Sequence, residues 1–108
     1  MNKVNLDLTT NELKILYSIF NEAKYGLEII ETVKKTGGII FLGSLYNIMS
    51  RLEKRNLVES YLGEDTSERG GNRRKYFKIT GKGQTAVEQA ELVFMSMMSL
   101  KKNYFIHV

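Results

Sequence analysis

The chain has no cysteine and only one histidine among its 108 residues. The lack of cysteine excludes a disulfide framework and a thiolate metal site. His107 has no cysteine or carboxylate partner near it in the sequence, so no metal site is expected. No serine or threonine is paired with a candidate base, and no pair of acidic residues stands out. We therefore expect no catalytic site and no cofactor.

Long hydrophobic runs are also missing. The longest mostly apolar stretch, residues 92–100, is much shorter than the roughly 20 residues that a helix needs to cross a bilayer. The first seven residues contain no apolar signal-peptide core. These absences predict a cytoplasmic protein that does not enter the membrane.

The net charge of +4 is concentrated in one part of the chain. Residues 43–82 contain nine Lys and Arg against five Asp and Glu, whereas the remaining residues contain seven of each. A localised basic excess favours a polyanionic partner. With 43% hydrophobic and 26% charged residues, the composition is that of one globular domain.

The clearest helical pattern covers residues 43–55. One stripe of apolar residues recurs at helical spacing, formed by Leu45, Ile48, Met49 and Leu52. The opposite face is polar and basic, formed by Ser44, Asn47, Arg51 and Lys54. Such a face can reach base edges and phosphates together. A solvated outer face of an ordinary helix is the alternative.

Two helices and a short strand are predicted before this segment. A capping box of Thr9 and Glu12 opens the first helix, which is expected to end near Asn21. Its apolar face comprises Leu13, Leu16, Tyr17 and Phe20, widened by Ile15 and Ile19. The second helix starts at residues 25–26 and stops at the glycine pair 37–38. Its inward residues are Leu27 and Ile30, with Ile29 and Val33. Residues 39–41 are predicted to form one strand.

A hairpin and a long helix follow. Residues 57–62 and 73–79 alternate as two antiparallel strands, joined by a polar loop over residues 63–72. The order of these elements predicts a mostly α fold with a small β-hairpin (α+β), a winged helix-turn-helix in residues 1–80. Residues 81–108 are predicted to form a C-terminal dimerisation helix and tail.

The last helix, capped by Thr80 and extending to about Asn103, carries a heptad seam. The predicted interface residues are Ala86, Ala90, Val93, Phe94, Met97, Leu100 and Tyr104. About 23 helical residues extend roughly 35 Å, whereas a winged domain of about 80 residues has a radius of gyration near 12 Å. The uncovered part predicts a homodimer; ordinary core packing is the alternative.

Four segments together resemble the PadR-type transcriptional regulators. Residues 24–30 are similar to the Tyr-Gly-containing second helix of that family. Residues 43–46, Gly-Ser-Leu-Tyr, with Arg-Leu-Glu at 51–53, resemble its Gly-Thr-Leu-Tyr recognition-helix signature. Residues 57–60 and 73–83 resemble the following strand, the wing strand and the turn into the last helix. The single C-terminal helix resembles the short subfamily.

This resemblance implies a homodimeric winged-helix repressor that binds a palindromic, dyad-symmetric operator in double-stranded DNA. It also implies dimerisation through the first and last helices and, in many members, release by a small aromatic effector. Phe41 and Leu42 stand where relatives often have Ser-Pro, and residues 71–74 replace a Gly-Arg-Pro-Arg run. The chain also has no tryptophan, which some drug-binding relatives stack on their ligand.

The candidate DNA contacts on the recognition helix have distinct roles. Tyr46 occupies the signature tyrosine and is interpreted as a phosphate or groove contact, with a bridge between helix and wing as the alternative. Ser44 and Asn47 lie near the leading end, where base edges are reached first, and Asn47 could pair with adenine. Arg51 and Lys54 lie further along and are expected to contact phosphates.

Further candidate contacts lie in the wing and before the second helix. Arg73 and Lys75 share one face of the strand and Arg74 lies on the other. One or two of these three should meet phosphate or the minor groove. Lys24 and Tyr25 are candidate phosphate contacts at a helix N-terminus; a solvated lysine and a core tyrosine are the alternative.

Two other functions compete with DNA recognition. The winged helix could be a protein-interaction or adaptor module without specific DNA binding, but the localised basic excess disfavours this. RNA or general nucleic-acid binding is disfavoured because no aromatic stacking platform is evident on a sheet.

Overall fold

The computed structural model of the chain describes residues 7–64 and 73–101. In these ranges the elements are α1 (Thr10–Ser18), β1 (Lys24–Tyr25), α2 (Gly26–Lys34), α3 (Leu42–Lys54), β2 (Val58–Leu62), β3 (Lys75–Ile79) and α4 (Gly81–Met98). The three strands form one antiparallel sheet in the order β1–β3–β2. The predicted mostly α, winged helix-turn-helix fold is confirmed.

The prediction of a strand at residues 39–41 is wrong. The backbone at Phe41 is extended, with φ −79° and ψ 150°, but no strand pairs with it in the described part of the chain. The third strand is instead formed by Lys24 and Tyr25, which pair with Phe77 and Tyr76 at the free edge of β3. The β-branched run at 39–41 lies in the connection between α2 and α3, where no strand partner is within reach.

Helix α1 begins as predicted and ends earlier. Thr9 Oγ1 accepts a hydrogen bond from the backbone N–H of Glu12 at 3.1 Å, and the Glu12 carboxylate accepts one from Thr9 N–H at 2.8 Å. The helix ends at Ser18 rather than near Asn21. Its fully buried residues are Ile15 and Leu16, and the C-cap residue Ile19 is buried beside them. Tyr17, predicted to face inward, is half-exposed because its hydroxyl lies at the surface, hydrogen-bonded to α4.

Helix α2 buries Ile29 and Val33, but Leu27 is exposed, contrary to the prediction. At 3.6 residues per turn, Leu27 lies on the far side of the helix from Ile29. The predicted glycine stop is confirmed: Gly37 has φ +85°, a left-handed conformation that glycine adopts without steric cost.

Helix α3 packs its apolar stripe into the core as predicted. All four stripe residues are buried, namely Leu45, Ile48, Met49 and Leu52. The core that they join extends from α1 to the sheet and to the start of α4, and it includes Ile15, Leu16, Ile29, Val33, Leu57, Phe77 and Val87. Burying one side of α3 fixes the opposite side toward solvent.

Helix α4 ends at Met98 rather than near Asn103; it is anchored at its start and uncovered beyond it. The Thr80 hydroxyl accepts a hydrogen bond from Gly83 N–H at 3.0 Å and donates one to the Asn56 carbonyl at 2.7 Å, which confirms Thr80 as the cap. Ala86, predicted for the seam between two copies, is instead fully buried in the chain's own core. Residues 91–101 are all exposed. Tyr104 lies outside the described residues.

Candidate nucleic-acid interface

The exposed face of α3 carries four of the candidate DNA contacts. Ser44 and Asn47 occupy its first half, and Arg51 and Lys54 its last two turns; all four are exposed. Cations near a helix C-terminus are favoured by the helix dipole. In the described part of the chain no ion pair engages Arg51 or Lys54. Both charges are therefore available to an external anion.

Tyr46 bridges α3, the start of α2 and the wing. Its ring centroid lies 6.1 Å from that of Phe77 in β3, and its hydroxyl lies close to Gly26. A Cβ at Gly26 would be 2.9 Å from Tyr46 Oη, so the absence of a side chain there admits the phenol. The ring is still 43% exposed. The bridging role is thus observed, and a DNA contact by the exposed edge stays a prediction.

The three wing cations point in different directions. Lys75 shares a face of β3 with Phe77, and its Nζ lies 5.6 Å from the Phe77 ring centroid. Because Phe77 packs beside α3, Lys75 lies on the side of the sheet nearest that helix. Arg73 Nε donates a hydrogen bond to the Gly63 carbonyl at 2.7 Å, which holds it at the base of the loop. The loop itself, residues 65–72, lies outside the described residues.

Arg74 lies on the opposite face of the sheet, beside a row of three tyrosines that the sequence analysis missed. Its guanidinium lies 4.2 Å from the ring centroid of Tyr25. Tyr25 meets Tyr76 edge-on, and Tyr76 stacks on Tyr61 with an interplanar angle of 12°; both pairs have centroids 5.6 Å apart. We call Tyr25, Tyr76 and Tyr61 the tyrosine row.

The tyrosine row places aromatic side chains on one face of the sheet. No aromatic stacking platform was expected on a sheet, and this counted against RNA binding, but three tyrosines lie side by side on the sheet. Tyr61 and Tyr76 lie on the two predicted strands, whereas Tyr25 joins the row only through β1, a two-residue strand that was not predicted. One face of Tyr25 is covered by Arg74, and Tyr61 and Tyr76 cover one face of each other. The row therefore forms a cross-strand aromatic ladder that stabilises the sheet.

Lys24 is engaged within the chain. Its Nζ donates a hydrogen bond to the Ser18 carbonyl at 2.6 Å and forms a 3.5 Å ion pair with Glu22. The lysine thus ties β1 to the C-terminus of α1. At the start of α2, the Glu28 carboxylate accepts a hydrogen bond from Tyr25 N–H at 3.2 Å. This carboxylate lies where an anion would bind the helix N-terminus. Phosphate contacts by Lys24 and Tyr25 stay predictions.

The far half of α4 exposes a second surface. Among the predicted seam residues, Ala90 is half-buried and Val93, Phe94, Met97 and Leu100 are exposed. Four large apolar side chains within eight residues form a patch of the kind that marks an interaction site. No helix in the described ranges is long and apolar enough to cross a membrane.

A winged helix-turn-helix that presents a polar and basic recognition helix defines a class of protein, the DNA-binding transcriptional regulators. The sequence profile of the Transcriptional regulator PadR-like family matches residues 15–89, more than half of the chain. The chain belongs to this family. It is accordingly a transcriptional regulator and not an enzyme.

Individual relatives agree with this assignment. A PadR family transcription regulator from Clostridium difficile R20291 superposes with a TM-score of 0.71 at 25% identity, covering 82% of this chain and 90% of that one. A PadR-like transcriptional regulator from Bacillus cereus ATCC 14579 superposes with a TM-score of 0.68 at 31% identity, covering 81% and 82%. An uncharacterised protein of Lysinibacillus sphaericus is 33% identical over 78 residues, 69% of each chain.

Proposed function

We propose that the protein is a homodimeric repressor that works in the cytoplasm and binds a dyad-symmetric operator in double-stranded DNA. The observation that carries this proposal is the exposed polar and basic face of α3, held outward by four buried apolar residues on the other side. An α-helix fits the major groove of B-DNA, where each base pair presents a distinct pattern of donors and acceptors.

The proposed contacts divide by position along α3. Ser44 and Asn47 lie in its leading half, which reaches base edges first, and Asn47 has the donor and acceptor that a bidentate pair with adenine requires. Arg51 and Lys54 are longer and charged, and suit phosphates at the edge of the groove. Among the wing cations, Lys75 has the position nearest α3, so it is our leading candidate for a second phosphate contact.

The proposed dimer rests on the second half of α4. On α4, Ala90, Val93 and Met97 lie along one side at heptad spacing, and exposed Leu100 follows two residues after the helix ends. A second copy related by a two-fold axis would cover this seam and place two α3 helices on one side of the dimer. We propose residues 1–80 as the DNA-binding part and residues 81–108 as the dimerisation part, with the first turns of α4 completing the core of the former.

Release of the operator by a small aromatic effector is proposed on the family resemblance alone. It would be tested by adding phenolic compounds to the protein–operator complex and measuring the affinity. No effect across the series would remove the effector from the proposal without affecting operator binding.

Selection from random duplexes tests the proposal as a whole, followed by affinity measurements on the winner across salt concentrations. We expect a palindromic winner with half-sites about one helical turn apart and an affinity that falls steeply with salt. Weak binding without sequence preference would overturn the proposal and favour the adaptor function. Analytical ultracentrifugation of the free protein tests the dimer separately.

A further inference from the structure

The connection into α3 exposes apolar side chains at the leading end of the recognition helix. Phe41, the N-cap residue of α3, is 75% exposed, and Ile39 is 73% exposed. Resting on the function proposed above, we propose that Phe41 reads a thymine in each operator half-site by packing on its C5-methyl group.

Neither the helix nor the core accounts for a phenylalanine at this position. N-cap positions favour Ser, Thr, Asp or Asn, whose side chains accept a hydrogen bond from the first helical turn. Phe41 makes no such bond. Its exposed ring also adds little to the core. Since the described part of the chain leaves this ring 75% exposed, a partner outside the chain can bury it.

The position of Phe41 and its apolar neighbours indicate which group on the DNA it contacts. Phe41 precedes Ser44 by three residues, so it lies at the same end of α3 as the side chains proposed to reach base edges. Its sequence neighbours Ile39 and Leu42 are also exposed and apolar, and none of the three can pair with a phosphate. The thymine methyl is the apolar group that a base edge presents in the major groove.

Replacement of single thymines by deoxyuridine in the selected operator measures this contact, because deoxyuridine keeps the base pair and removes only the methyl group. We expect one thymine position per half-site at which wild-type protein loses affinity by about fourfold, the value for burying one methyl group. In Phe41→Ala the affinity ratio of the thymine and deoxyuridine operators should fall to about one at that position.

Two controls keep the result specific. Leu92→Ala removes another exposed apolar side chain, 63% exposed and on α4, and it should keep the wild-type ratio. Thermal unfolding of Phe41→Ala should resemble that of the wild type, since an exposed ring is removed.

Three outcomes would count against the inference. Equal affinity of the wild type for both operators at every thymine would overturn it while leaving the proposed function intact. A methyl effect that persists in Phe41→Ala would assign the reading to another side chain and also overturn it. Failure to select any operator would overturn both proposals together.

Discussion

The Tyr17 hydroxyl donates a 2.6 Å hydrogen bond to Glu91 Oε2, which joins α1 to α4 at the point where α4 leaves the core. On the N-terminal side of Glu91, Ala86 and Val87 are buried, and from Glu91 to Lys101 every residue is exposed. Within the described residues, this hydrogen bond is therefore the last polar contact of α4 with the rest of the chain before Val93, the first exposed residue of the proposed seam.

Replacing Tyr17 with phenylalanine should loosen this junction. We expect Tyr17→Phe to lower the free energy of unfolding by about 0.5–1 kcal/mol, the net value of one hydrogen bond at a half-exposed site. Urea denaturation at fixed protein concentration measures it. Tyr61→Phe is the matched control, because the Tyr61 hydroxyl makes no hydrogen bond in the described ranges. An equal loss of stability in both variants would contradict the assignment of this contribution to the Tyr17–Glu91 hydrogen bond.

The same pair makes a prediction about alkaline pH. The hydrogen bond to Glu91 raises the pKa of Tyr17 from 10.0 to about 12, with smaller effects of burial and of the Glu91 charge. Since the folded pKa lies above the unfolded one, this contribution to stability is complete below pH 10 and is lost as the pH rises toward 12. The stability of Tyr17→Phe should therefore fall less over this range. If the free energy of unfolding of the two proteins falls in parallel over this pH range, the raised pKa of Tyr17 is contradicted.

Gly83 is required by the close approach of α4 to Leu57, the residue before β2, and to Ile79 at the end of β3. A Cβ at Gly83 would collide with the Leu57 carbonyl oxygen and lie 2.7 Å from Ile79 Cγ1. The same carbonyl accepts the Thr80 N–H at 3.0 Å. We expect Gly83→Ala to destabilise the protein by about 3 kcal/mol, the upper end for overpacking, because backbone cannot move aside without losing that hydrogen bond.

Gly81 provides the control for this substitution in the same helical turn. A Cβ at Gly81 would meet nothing within 4 Å. Gly81→Ala should therefore be neutral or stabilise the protein by up to about 1 kcal/mol, because alanine is the better helix former. Denaturation of both variants at one protein concentration gives the comparison, and equal stabilities would show that the packing at Gly83 can relax.

The parts of the fold that the sequence predicted are those in which one periodicity decides the outcome. The stripe of α3 is apolar at every inward position, and its opposite face is polar. Thr9 and Thr80 are caps recognised by local hydrogen-bonding chemistry. In these cases the local preference and the tertiary packing agree.

The parts of the fold that the sequence did not predict depend on contacts between segments distant in the chain. Strand β1 has only two residues and exists because the edge of β3 is free. The tyrosine row follows from that pairing. The pattern of α4 is apolar through both its core-facing and its uncovered halves, so periodicity alone could not show that Ala86 packs in the core while Met97 is exposed.

Substitutions in the two halves of the exposed α3 face should have different effects on DNA binding. Arg51→Ala should weaken binding to every duplex by a similar factor and lower the slope of affinity against salt by about one per bound subunit, because one phosphate contact is lost. Asn47→Ala should instead relax sequence preference at one position and keep the slope. Fluorescence anisotropy on the selected operator and on an unrelated duplex separates these effects.

A control for the charge change lies on α4. Lys82→Ala removes the same charge in the first turn of α4, beyond the end of β3 that is furthest from the wing loop. It should leave the salt slope unchanged. A change of preference with Arg51→Ala, or none with Asn47→Ala, would reverse the proposed roles of these two side chains.

Met97 and Met95 provide a matched test of the seam, because they share a residue type, a helix and similar exposure of 52% and 58%. At 3.6 residues per turn they lie on opposite sides of α4. In the proposed dimer Met97 is covered by the second copy and Met95 faces solvent. Met97→Glu should place an unpaired carboxylate in an apolar interface and break the dimer, whereas Met95→Glu should leave it intact.

Sedimentation of both variants measures their oligomeric state, and operator affinity is measured in parallel. A monomeric Met97→Glu should lose operator binding by several orders of magnitude while its circular dichroism stays that of a folded winged helix, because it can occupy only one half-site at a time. If both variants stay dimeric, the seam lies elsewhere on the chain. If the unsubstituted protein is itself a monomer, the dimeric repressor is excluded.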